Sequence, residues 1–501
     1  MTPANRCSGQ LLITNARHSM SQHTPSSSSS DRPTPKKSWC RIPDIYAVLF
    51  IFIALAAIAT HFVPAGQFER VPGPNGRITI DPNSYEQIAS SPVGIVDFML
   101  AIPNGLMSAG EVVFFTFMIG GMFMVLRRTG IIEIGVDKLT RRFARQNLLT
   151  IPVLMTVFAL IATVIGTQEL ALVYVPVILP LMIALRFDSV TAAAVALCAT
   201  TVGFTTGVLN PINTGLGQQL SDLPLYSGYG LRVVAFVVML AAAIFFVMRY
   251  ARMVHQTPSL SLLSSDTSES EKRSLYQHAD NSPALIASAR QKLAAIATFA
   301  FFAVLVYGVL QQGWFMMEMA GLFIIMGIVV GLIAGLDTDE ICAGFNQGFR
   351  DVLVGAMIAG VARGVAVMLE DGHIMDTLVF GLGNLVGGLP TLLSAIGMFF
   401  AQLGFNFIVP SGSGQALVTM PLMAPLSDII GVTRQTAVLA FQLGDGIGNI
   451  LYPTSGYFMA TLALAGVPWQ KWVKFFFPLF CVWIAIALGF LIFAQATQWI
   501  G

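Results

Sequence analysis

Asp445 lies between Gly444 and Gly446 in the run RQTAVLAFQLGDGIGNILYPTSG, whose only other charge is Arg434. An ionisable group in such a run is costly at membrane depth and marks a candidate site for a substrate or a coupling cation, with a structural bond to Asn449 as the alternative. Glu169 closes a short polar turn, Gly166-Thr167-Gln168-Glu169, between two apolar stretches. There it could cap the helix that starts near Ala171 or, together with Gln168, face a ligand. Neutral polar side chains form three further groups: Asn210, Asn213 and Thr214 in LNPINTG; Ser411, Gly412, Ser413 and Gln415 in PSGSGQ; Asn449, Thr454 and Ser455 in NILYPTSG. Their oxygens suit a dehydrated cation or a polar substrate, with Na⁺ expected at Asn210, Asn449 and Thr454, although buried helix breaks also use such side chains as caps. Arg363, in IAGVARGVAVMLE, could meet a substrate carboxylate, or snorkel, or pair with Glu370 on the same helix face.

These residues do not make an enzyme. A serine nucleophile within PSGSG would need a base, and no histidine follows His373. An intramembrane aspartyl protease would need a second carboxylate and a glycine two residues before its aspartate, where Leu443 stands. The five cysteines are scattered, odd in number and without a CxxC pair, which argues against a disulfide framework or a metal cluster. No cofactor is expected beyond Na⁺ or H⁺ as a coupling ion. A channel would use the same polar groups, but a carrier saturates and exchanges.

The elements that must hold these groups are membrane helices. The chain is 55% hydrophobic and 11% charged, with a mean hydropathy of +0.74, against about 25% charged residues in a soluble domain. Apolar stretches long enough to cross a bilayer, roughly 17 to 25 residues, recur from Ile45 onward. A net charge of +1 gives no reason to expect nucleic acid. The expected organisation is a disordered cytoplasmic tail (1–38), a first membrane repeat (41–253), a polar cytoplasmic linker (254–289) and a second repeat (290–501). No signal peptide is expected, because the apolar segment after Arg41 is long and has no small-residue cleavage site.

ALVYVPVILPL from Ala171 matches ALVTMPLMAPL from Ala416 without a gap, six of eleven positions being identical at an offset of 245 (416 − 171). Each copy follows an apolar helix and a polar turn, and precedes a helix that ends at a breaker, NPINTG in one and YPTSG in the other. Arg41, Arg127, Arg128, Lys138, Arg141, Arg142, Arg145, Arg186, Arg249 and Arg252 are expected on the cytoplasmic side. With Arg145 and Arg186 on one side, the helices around the first tip must enter and return, as a hairpin near 150–185. An extra helix at about 293–311 then makes the second hairpin, near 391–430, enter from the opposite face. The fold class expected is therefore an all-α polytopic membrane protein, with about nine crossings, an inverted-topology repeat, two re-entrant helical hairpins and two broken helices. The N-terminus falls inside and the C-terminus outside a bacterial inner membrane. Tips and breaks of this kind meet near the midplane, where irregular backbone must line protein or a water-filled cavity.

The strings IVPSGSGQALVTMPLMAPLSD, RQTAVLAFQLGDGIGNILYPTSG and LNPINTG resemble the YfcC family, whose members are named as basic amino acid antiporters, related to anaerobic C4-dicarboxylate carriers within the ion transporter superfamily. The resemblance runs from about residue 41 to the end. It implies a scaffold and a transport domain with elevator-like alternating access, in a homodimer. Where that family often has two consecutive acids at the first tip, this chain has Glu169 followed by Leu170. Glu169 and Asp445 make the expected cavity net negative, which favours a cationic group. A basic amino acid is the expected substrate, and a C4-dicarboxylate or other small carboxylate is the alternative.

The charge pattern predicts that a cysteine placed at 271 is labelled only from the cytoplasm and one at 501 only from outside. Labelling of both from one side would remove the inverted repeat.

Overall fold

The computed structural model describes residues 45–73, 78–143, 147–276 and 286–501. The expected tail, Arg41, Arg145 and the linker residues 277–285 lie outside the described residues. The first half contains α1 (Ile45–Ala59), α2 (Ile95–Ser108), α3 (Gly110–Arg128), α4 (Ile131–Phe143), α5 (Thr150–Ile165), α6 (Leu170–Ala184), α7 (Ser189–Thr206), α8 (Leu216–Leu220) and α9 (Tyr229–Gln256). After α10 (Thr267–Tyr276) and α11 (Ala289–Gln312) come α12 (Met316–Ala334), α13 (Thr338–Asp371), α14 (Met375–Gly387), α15 (Thr391–Asn406) and α16 (Gly412–Ile429). The chain ends with α17 (Arg434–Gly448), α18 (Gly456–Ala465) and α19 (Trp469–Ala496). Among the described residues, eight helices are long and apolar enough to cross a membrane. The expectation of about nine differs because α1 and the interrupted α17–α18 fall short of that length, while α5 with the turn before it reaches it. The protein is an all-α, multi-pass membrane protein.

The two halves repeat their lengths. Helices α4 and α14 have 13 residues each, α5 and α15 have 16, and α9 and α19 have 28. The 34 residues of α13 match the stretch from Ile95 to Arg128, in which only Ala109 separates α2 from α3. These two long elements pack antiparallel, since Arg128 at the end of α3 donates to Glu340 O (3.0 Å) and Gln347 Oε1 (2.9 Å) at the start of α13. Lipid gives no hydrophobic drive between apolar helices, so close packing through small residues must hold them. A Cβ on Gly105 would lie 2.7 Å from Gly364 N, and one on Gly348 would lie 2.5 Å from Gly121 Cα. The step from 105 to 348 equals that from 121 to 364, so one contact is made twice with the helices in exchanged roles.

Polar segments cover each end of the bundle. Helix α10, within the polar linker, docks where α7 starts and α18 ends. Ser189 donates to Glu269 through its N–H (3.2 Å) and its hydroxyl (2.5 Å), and Lys272 Nζ donates to Ser189 Oγ (3.1 Å) and Ala465 O (2.8 Å). Burial pushes the Lys272 ammonium below its ordinary range, opposed by the charges of Glu269, Asp266 and Asp188. At the other end, the segment between α1 and α2 forms two antiparallel pairs, β1 (Gly66–Gln67) with β4 (Glu86–Gln87) and β2 (Arg70–Pro72) with β3 (Ile78–Ile80). It seats on α14 and α16. Asp376 accepts from Phe68 N and from Arg70 (both 3.0 Å), Tyr85 stacks on Phe380 at 4.1 Å, and Thr79 Oγ1 donates to Leu417 O (2.8 Å). The corresponding connection between α12 and α13 is only Gly335-Leu336-Asp337.

Replacing Gly348 by Leu should force α3 and α13 apart, because the new side chain meets backbone that cannot rotate away. The expected loss is about 2 kcal/mol or more, read as a lowered midpoint of thermal unfolding in detergent. An unchanged midpoint would show that the close approach is not needed.

Candidate functional site

The first hairpin turns at Gly166, a left-handed residue (φ 82°) whose N–H bonds Ala162 O and ends α5. A side chain there would also collide with Asn210 Oδ1, 2.4 Å from the Cβ position, so the tip abuts the break after α7. Gln168 is buried and reaches across to the second half. Its Nε2 is 3.5 Å from Gly446 O, and its Oε1 accepts from the Tyr457 hydroxyl. Glu169 is half-buried and precedes α6 without a side-chain capping bond. It sits at the same tip as Gln168, which reaches Gly446 and Tyr457.

Both breaks are held by side chains. Asn210 caps the π turn Pro211–Gly215, accepting from Ile212 N (2.9 Å) and Asn213 N (3.0 Å) while donating to Phe204 O (3.3 Å). Its hydrogen-bonding groups are thereby committed to the backbone. Thr214 donates to Gln442 Oε1 (3.1 Å), and Gln442 Nε2 donates to Thr206 O (2.8 Å). After α17, the indole N–H groups of Trp472 and Trp469 take Ile450 O (2.7 Å) and Leu451 O (3.1 Å). The carbonyls of Phe204, Thr206, Ile450 and Leu451 are thus paired by side chains.

Asp445 is the centre where these elements meet, fully buried on α17. Its Oδ2 accepts from Asn213 Nδ2 (2.6 Å) and its Oδ1 from Asn406 Nδ2 (3.0 Å). The Asn406 amide also approaches Asn449 Oδ1 (3.2 Å) and Gln415 Oε1 (3.3 Å), so two hydrogens are shared among three acceptors. Gln415 in turn donates to Gln402 Oε1 (2.7 Å). The second tip lies over the acid: a Cβ on Gly412 would sit 3.0 Å from Asp445 Oδ2 and 2.7 Å from the Phe204 ring. Ser411 is exposed and caps Gly414 N (3.4 Å), and Ser413 is half-buried. Asn213 Oδ1, Asn406 Oδ1 and Thr454 Oγ1 are buried without a hydrogen-bond partner. Ser455 is the buried N-cap of α18.

The structure therefore gathers Gln168, Glu169, Asn213, Gly412, Gln415, Asp445 and Asn449 around one carboxylate, with Asn210 and Thr214 supporting the first break. Arg363 is placed elsewhere. It lies between α13 and α2, donating to Ser108 Oγ (3.1 Å) and to Glu370 Oε1 (3.4 Å). Asn406, Gln402, Gln442 and Tyr457 were not read from the sequence. A signal for the first pair exists in AQLGFN: Gln402 and Asn406 lie one turn apart on an otherwise apolar helix.

A multi-pass helical bundle with two helix-turn-helix tips meeting two interrupted helices around a buried acid is a membrane transporter, and the relatives agree. The sequence pattern of the C4-dicarboxylate anaerobic carrier family (DcuC) matches residues 42–496, and the chain belongs to that family. It is 32% identical over 480 residues to the Escherichia coli K12 protein named "Putative basic amino acid antiporter YfcC", covering 88% of this chain and 93% of that one. It is 29% identical over 398 residues to an uncharacterised Haemophilus influenzae protein, covering 79% and 78%. Among solved structures, the YdaH transporter of Alcanivorax borkumensis aligns over 91% of this chain and 99% of its own, with a TM-score of 0.40 and 14% identity. MtrF of Neisseria gonorrhoeae, described with a class of antimetabolite efflux pumps, aligns over 90% and 95%, with a TM-score of 0.38 and 15% identity.

Asn406→Leu, which keeps the side-chain volume close, should leave three acceptors without their shared donor. A loss of about 1–3 kcal/mol is expected, seen as a lower unfolding midpoint in detergent. No change would mean that the amide is not what holds the site.

Proposed function

We propose that this transporter is a secondary active carrier for a small substrate bearing a cationic group, with a basic amino acid as the best fit, and that Na⁺ or H⁺ couples or is exchanged. The observation that carries this reading is the buried Asp445 carboxylate, with Glu169 close by and unpaired oxygens on Asn213, Asn406 and Thr454. Buried acceptors left unpaired cost about 1–3 kcal/mol each, and a buried charge costs more. A cation offsets both, whether a substrate ammonium or guanidinium or a dehydrated Na⁺. The candidate Na⁺ ligands include unpaired side-chain oxygens, Thr454 Oγ1 among them. Asn449 keeps its carbonyl oxygen near Asn406, and Asn210 serves as a cap. The name of the Escherichia coli relative points the same way.

The exchanged Gly105–Gly364 and Gly121–Gly348 contacts support an inverted repeat with the site at its centre. Scaffold helix α13 meets α18 through small residues, a Cβ on Gly355 falling 1.9 Å from Ala463 Cβ and one on Gly456 falling 3.4 Å from Ala359 Cβ. Such a smooth seam suits a transport domain sliding on a scaffold, as in an elevator. The N-terminus inside, the C-terminus outside, the bacterial inner membrane and the homodimer belong to the same proposal. Membership of the C4-dicarboxylate carrier family favours a second reading, in which a dicarboxylate enters with cations that offset its charge against Asp445 and Glu169.

In proteoliposomes, Asp445→Asn and Glu169→Gln should abolish or uncouple uptake of L-arginine or L-lysine, with a fall of about a hundredfold for Asp445→Asn. Full coupled transport by both variants would remove the charge role. Saturable succinate transport with no response to any amino acid would replace the first reading by the second.

A further inference from the structure

The helices that end the two repeats, α9 and α19, are both 28 residues long, and their fourth residues are Arg232 and Trp472. The step from Tyr229 to Trp469 is the step from Arg232 to Trp472. Both side chains are completely buried, and both carry donors only. Trp472 pairs the Ile450 carbonyl freed by the second break. Arg232 faces the first break but works at one remove. Its Nε donates to Gln442 Oε1 (3.0 Å), its Nη2 to Gln435 Oε1 (3.1 Å) and its Nη1 to Ser227 O (2.5 Å), while its guanidinium lies 5.3 Å from the centre of the Trp499 ring. These three acceptors are neutral, so the buried cation is held by oriented dipoles.

That arrangement fixes the orientation of one amide. A guanidinium can only donate, so Gln442 must turn its carbonyl oxygen toward Arg232, and its NH₂ must then face the other way. There it meets Thr206 O (2.8 Å), a carbonyl that the end of α7 leaves free, while Thr214 donates to the same Oε1 (3.1 Å). Gly207, between them, has φ 55°, and its Cβ position is only 1.8 Å from Thr214 Oγ1, so the break is closed tightly. Asn213, the residue before Thr214, holds Asp445. We infer that Arg232 is a positioning residue for the first helix break, the counterpart of Trp472 at the second, acting through Gln442 to set where Asn213 and Thr214 stand. Without Arg232 the Gln442 oxygen keeps Thr214 as its donor and its NH₂ keeps Thr206 O, but the side chain is no longer anchored from the α9 side, and the break is held less tightly.

The test needs no substrate, so it stands or falls apart from the substrate proposed above. In full-length protein with Cys7, Cys40, Cys198, Cys342 and Cys481 replaced by alanine, single reporters are placed at Leu209→Cys in the first break and Leu451→Cys in the second. Arg232→Gln should raise the rate of thiol labelling at 209 about tenfold and leave 451 unchanged, as expected of local rather than global opening. Trp472→Phe should do the reverse. Because Arg232 acts through Gln442, adding Arg232→Gln to Gln442→Ala should give no further increase. Equal rates at 209 with and without Arg232, a rise at both reporters, or additive effects in the double variant would overturn the inference. Should Arg232→Gln fail to insert, Arg232→Lys is read in the same way, since it keeps the charge but loses the planar fork.

Discussion

In a bilayer the backbone has no water to fall back on, so every peptide group that leaves a helix must find a partner inside the protein. That requirement is most severe at the two helix breaks, and it explains much of what surrounds them. The tryptophans at the start of α19, the amide of Gln442 and the cap made by Asn210 each answer a carbonyl or N–H that the interrupted α7 and α17 cannot pair for themselves. Beside them stands a second set of buried polar side chains, Asn213, Asn406, Gln415 and Asn449, linked to one another and to Asp445.

The two repeats reach this end by different chemistry. The second break is closed directly by neutral indoles, and the first by a charged guanidinium relayed through a glutamine. Only the second repeat carries an acid at the break, Asp445, while only the first carries one at the hairpin tip, Glu169. The two carboxylates therefore approach from opposite halves of the chain.

Much of this was legible in the sequence because it is written in strong local signals. A hydropathy of this level marks membrane helices, Asn-Pro and Tyr-Pro mark interruptions, and an aspartate between glycines in an apolar run stands out. Roles that depend on partners far along the chain were less legible. Arg232 is one of three arginines in a long apolar helix, and its meaning appears only once Gln442, 210 positions away, is seen beside it. Asn210 looks like a ligand by type and is a cap by geometry, since a residue name does not say which way its amide points. Arg363 could be read as a substrate contact or as the partner of Glu370, and the structure sets it beside Glu370 and Ser108. Nor do the polar residues of the linker announce that Glu269 and Lys272 will be buried against Ser189, because helix α10 owes its place to tertiary contacts rather than to any periodicity of its own.

The strand-bearing segment between α1 and α2 has a consequence for the two faces of the bundle. It braces α14 through Asp376 and α16 through Leu417, whereas α10 braces the start of α7 through Ser189 and the end of α18 through Ala465. These braces are unlike: one is a segment of short strands and the other a helix of the linker. The two ends of the bundle are thus secured by unlike elements, so the stiffness of one can be changed by substitution without touching the contacts of the other.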